Sequence, residues 1–77
     1  MLKRVIDMKP NEAGTVTRID GGYGLIRRLE TMGVRPGVVI VKRSSQPLRG
    51  PVTIQVHGTE LALGFGIACR ITVEVGE

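Results

Sequence analysis

Glycine and proline punctuate this 77-residue chain at short intervals, with eleven glycines and four prolines in all, and that spacing governs what it can fold into. Segments so often interrupted suit several short strands joined by tight turns. Gly14-Thr15-Val16-Thr17-Arg18-Ile19 reads as a strand rich in β-branched residues. Val16 and Ile19 stand at i and i+3, which breaks strict alternation and predicts a bulge or a strong bend. Val38-Val39-Ile40-Val41 is an unbroken aliphatic run, expected as a strand buried on both faces. Ser44 to Gly50 reads as a loop. Val52-Thr53-Ile54-Gln55-Val56 then alternates without error, so Val52, Ile54 and Val56 are expected to face the core. His57-Gly58 reads as the tip of a hairpin returning through Thr59-Glu60-Leu61-Ala62-Leu63. Ile71 to Val75 closes the chain with a second clean alternation.

Between the first two strands the period changes. Leu25, Leu29 and Met32 recur at i, i+4 and i+7, which places them on one helical face. Asp20 or a neighbouring glycine must cap the start. Gly33 and then Pro36 match a helix stop. Arg35-Pro36-Gly37-Val38 suits a type II turn, since Pro fixes φ at i+1 and Gly accepts positive φ at i+2. Gly64 to Cys69 is too short and Gly-rich for more than one tight turn. The sum is a mainly β domain over residues 1–77: about five strands, one short α-helix and a late single-turn helix. Short connections favour antiparallel pairing, and so few strands hide their edges best by curling into a small, partly open barrel. The helix is expected over one open end.

Composition narrows the chemistry. Phe and Tyr occur once each and Trp not at all, so the core must be aliphatic. The net charge of +4 suggests a polyanionic partner, but the basic residues are scattered. Only Arg27-Arg28 and Lys42-Arg43 are adjacent, and the plain reading is a solvated face. No apolar run suits a membrane span or a secretory signal, and the lone Cys69 fits a reducing cytosol. A single His57, with Glu60 nearby and one Cys69, cannot fill a metal site without water or a second molecule. His57 is read as an exposed turn residue and Cys69 as a small buried hydrophobe. Gly21-Gly22-Tyr23-Gly24 lacks the third glycine of a dinucleotide loop, because position 27 is Arg27, and no Gly-Lys-Ser/Thr follows. Nothing assembles a nucleophile, base and orienting group, so no enzyme, cofactor or metal site is expected. Two aromatic residues cannot line a proline-recognition groove or a base-stacking platform.

The order of motifs resembles a known family. Arg28-Leu29-Glu30-Thr31-Met32-Gly33-Val34-Arg35-Pro36-Gly37 looks like the Arg-Leu-x-x-(Leu/Met)-Gly-(aliphatic)-x-Pro-Gly signature of ferrous iron transport protein A, the FeoA family. Gln46 to Val52 is similar to that family's Pro-Leu-Gly-x-Pro-(aliphatic) loop, and Glu60-Leu61-Ala62-Leu63 to its Leu-Ala-Leu segment. The resemblance implies an SH3-like barrel and a cytoplasmic accessory protein that modulates a FeoB-type ferrous iron transporter through its cytosolic GTP-binding domain. The same domain type ends metal-responsive repressors, where a helix-turn-helix precedes it. A surface for such a partner is expected on the Ser44–Gly50 loop and the exposed helix residues: Arg27, Arg28, Gln46, Pro47, Leu48 and Arg49. Leu48 either projects from that loop or tucks under the barrel rim. The alternatives are a basic nucleic-acid-binding domain, whose affinity would fall steeply with salt, and a transition-metal-responsive regulatory domain.

Overall fold

The computed structural model describes residues 1–76. Six strands are present: β1 (Leu2–Arg4), β2 (Ala13–Ile19), β3 (Val39–Ser45), β4 (Val52–Val56), β5 (Thr59–Leu63) and β6 (Ile71–Val75). A 3₁₀ turn (Val5–Asp7) follows β1, helix α1 (Tyr23–Thr31) follows β2, and the four-residue α2 (Phe65–Ala68) precedes β6. The strands form one antiparallel sheet in the order β1-β6-β2-β3-β4-β5. Its two edge strands do not pair with each other, so the mainly β, SH3-like fold is an open barrel. The 3₁₀ turn and α2 meet, and each buries a residue completely, Val5 and Ala68.

Five of these strands are expected from the sequence, and β1 is the addition. Three residues carry no period, so β1 exists only through its pairing of Leu2, Lys3 and Arg4 with Glu74, Val73 and Thr72. The Met1 ammonium also meets the Glu74 carboxylate, and Val75 N–H donates to the Met1 carbonyl at 2.9 Å. The irregular spacing of Val16 and Ile19 does produce a bulge: β2 shifts register against β6 between Val16 and Arg18. Val52, Ile54, Val56, Ile71, Val73 and Val75 all point inward as expected. The core is aliphatic, with Tyr23 and Phe65 both outside it.

Strand β3 departs from expectation. Val39 is 56% exposed while Ile40 is fully buried, so the aliphatic run is buried on one face only. The outer face of the sheet is uncovered there, and alternation carries the inner face on to Lys42, which is 3% exposed. The strand also continues through Ser44 and Ser45, residues expected in the loop, because they pair with Thr53 and Val52 after a register shift.

Helix α1 ends as the glycine predicts, but by a tighter device. Gly33 takes φ +92°, its N–H donates to Glu30 O, and Val34 N–H donates to Leu29 O, both at 2.9 Å. This is a Schellman closure, and it folds Val34 back over Leu29. Both are fully buried, whereas Met32, expected on the apolar face, is 39% exposed. Gly22 caps the start, so the glycine-rich run is a lead-in to the helix. Arg35 to Val38 forms the expected turn, with Gly37 at φ +94° and Val38 N–H donating to Arg35 O.

Candidate interaction surface

The β3–β4 connection holds four of the six residues singled out from the sequence. Gln46 N–H donates to Pro51 O at 3.0 Å and Gly50 N–H donates to Pro47 O at 3.2 Å, closing a tight turn over Pro47-Leu48-Arg49-Gly50. Leu48 has φ +58° and Arg49 φ +60°. Positive φ at both central residues defines a type I′ turn, which normally takes Asn-Gly there. A leucine and an arginine in that conformation store about 1–3 kcal/mol each. Gly50 is required by the geometry, since a Cβ at that position would stand 2.6 Å from Gln46 Cβ. Leu48 is 98% exposed, so it projects and does not tuck under the rim.

Arg49 is held at a different angle. Its guanidinium lies 5.8 Å from the centre of the Phe65 ring, a cation–π contact to the start of α2. Within Ser44–Gly50 there is no acidic residue. Arg43, just before the loop, reaches Asn11 Oδ1 at 3.1 Å and Glu60 at 4.0 Å.

Arg27 and Arg28 occupy a separate place. Arg27 stacks on Tyr23 one turn earlier, 5.5 Å from the ring centre, and donates to its hydroxyl at 3.3 Å. The C-terminal end of α1 lies by the β4–β5 tip, where a Cβ on Gly33 would touch His57 and Val56 at 3.4 Å. The 47–50 turn adjoins Val52, the opposite end of β4. Each half of the expected surface has one arginine braced by one aromatic ring.

The pair Lys42-Arg43 is split between two faces. Lys42 Nζ donates to Ile6 O at 3.0 Å and Met8 O at 2.8 Å, tying the 3₁₀ segment to the sheet. Burial pushes its pKa below the ordinary lysine value, and the charges of Asp7 and Glu12 oppose that fall. Glu12 accepts the Lys9 N–H at 2.8 Å and the Lys3 ammonium at 3.0 Å, bonds that hold its carboxyl below the usual range. In the sequence Lys42 reads as half of a solvated basic pair with Arg43. The signal that finds it is the period-two continuation from Ile40.

His57 sits exposed at the β4–β5 tip with φ +50°, as expected, and Cys69 is only half-buried. Among the described residues no three His, Cys, Asp or Glu side chains gather, and no cavity opens. No helix of the described residues is long and apolar enough to cross a membrane. The surface offers projecting side chains, Leu48 foremost.

The pattern of the FeoA domain matches residues 3–75. A protein of Methanocaldococcus jannaschii named "Putative Fe(2+) transport protein A" is 38% identical over 69 residues, covering 90% of this chain and 82% of its own. The crystal structure of an iron uptake regulatory protein (FeoA) superposes with a TM-score of 0.88 at 36% identity, covering 96% of this chain and 97% of that one. A manganese-dependent transcriptional repressor shares the fold, with a TM-score of 0.88 at 17% identity over 42% of its own length.

Proposed function

This chain belongs to the FeoA domain family, and from that premise we propose that it is a non-enzymatic accessory protein of ferrous iron transport, binding the cytosolic GTP-binding domain of a FeoB-type transporter in the cytoplasm. The observation that carries the reading is Leu48, almost fully exposed on a strained turn. Such a surface acts by contact with another macromolecule. The mechanism is differential affinity, because an adaptor shifts its partner's state only if it binds one nucleotide state better than the other.

The test is titration of the full chain against the full-length transporter in lipid nanodiscs, loaded with GDP or with a non-hydrolysable GTP analogue. Saturable binding that differs between the two states is expected. Absence of binding in both states at tens of micromolar overturns the reading.

A further inference from the structure

We propose that the Pro47–Gly50 turn is a strained recognition tip that inserts Leu48 into an apolar pocket on a partner protein, while Arg49 meets a carboxylate on the rim of that pocket. The inference rests on the adaptor reading and names the chemistry of its contact. Leu48 and Arg49 hold the two positions at which a type I′ turn is easiest with Asn-Gly. A turn required only to join β3 to β4 would be better served by those residues. Strain kept at an exposed position points to the side chain as the reason for it. The geometry then presents an aliphatic group at 98% exposure.

Arg49 specifies the charge of the partner. Its guanidinium is oriented by the Phe65 ring and has no carboxylate partner among the described residues. A pre-positioned arginine loses less freedom on binding, and its forked donors match a carboxylate. The loop around it carries no acid, so an acidic rim is complementary. A second copy of this chain offers no receiving pocket, since the described residues enclose no cavity. The occupant is therefore a different protein, with an acid-rimmed apolar pocket.

The experiment compares wild type with a Leu48→Asn/Arg49→Gly double variant and with Arg49→Glu. The double variant should raise the thermal midpoint by at least roughly 4–8 °C as strain is relieved. It should also bind the nanodisc transporter at least about tenfold more weakly, as loss of an anchor does. Arg49→Glu should weaken binding by a similar factor. Binding by the double variant within twofold of wild type overturns the tip and leaves the adaptor reading intact. No rise in thermal midpoint overturns the strain on which the tip depends. Failure of wild type to bind overturns both readings together. Leu48-dependent sedimentation with vesicles of phosphatidylglycerol, or Leu48-dependent dimers in ultracentrifugation, overturns the assignment to a protein pocket.

Discussion

Two positions on the β3–β4 hairpin invert the usual placement of side chains. Lys42 puts a charge inward where the strand's alternation calls for an aliphatic residue. Leu48 puts an aliphatic residue outward at the tip, where a polar one fits best. The first exception is compensated within the molecule, since the ammonium donates to two carbonyls of the 3₁₀ segment. The second has no compensation inside the chain. A broken rule that is satisfied internally is part of the architecture, and one left unsatisfied marks the place to look for a contact.

The strongest way to break this contrast is to remove the internal partner. Lys42→Ala leaves Ile6 O and Met8 O without their donor and opens a void beneath them, so denaturant unfolding should show a loss of about 2–4 kcal/mol. Lys42→Met keeps most of the stem and should cost less, about 1–2 kcal/mol. A loss under about 0.5 kcal/mol from the alanine change would make Lys42 as dispensable as a surface lysine.

Gly33 sharpens the same contrast for the backbone. It holds a left-handed conformation with the residue suited to it, whereas Leu48 holds one with a residue that is not. Gly33→Ala should cost about 1–2 kcal/mol by thermal or denaturant unfolding, because the Schellman closure needs that φ.

A smaller effect separates the charge of Lys42 from its packing. The pKa of Lys42 is depressed in the folded protein, so the unfolded chain binds the proton more tightly. As pH rises from the folded value towards the ordinary lysine value of about 10.5, wild type should gain stability relative to Lys42→Met. A flat difference across that window would show that burial does not depress the group.

The smallest effect belongs to the tip. Leu48→Ser should leave stability within about 0.5 kcal/mol of wild type, since the side chain touches little of its own molecule. A larger loss would place Leu48 among the structural residues and erase the contrast.

Much of this was legible in the chain. The clean alternations of β4 and β6, the irregular spacing in β2 and the Gly33 stop each carry a local period or a residue with one conformational use. β1 was not legible, because three residues hold no period and their pairing with β6 depends on a segment at the far end of the chain. Lys42 was not legible as an inward residue, because its charge masks the strand phase that Ile40 sets. Met32 reads as inward by helical period alone, but it stands at the point where Gly33 reverses the chain. Nothing in one dimension shows that Arg27 rests on Tyr23 or that Arg49 reaches Phe65.

The sequence by itself determined a small antiparallel β fold with an aliphatic interior, because alternation and Gly/Pro punctuation act over a few residues and survive without context. It also determined family membership, through motifs read in order. Tertiary structure decided the fate of each exception: that Lys42 finds two carbonyls, that Leu48 stands in solvent at positive φ, and that Arg49 rests on Phe65. Those outcomes depend on segments brought together across the sheet, and no local pattern encodes the distance between them.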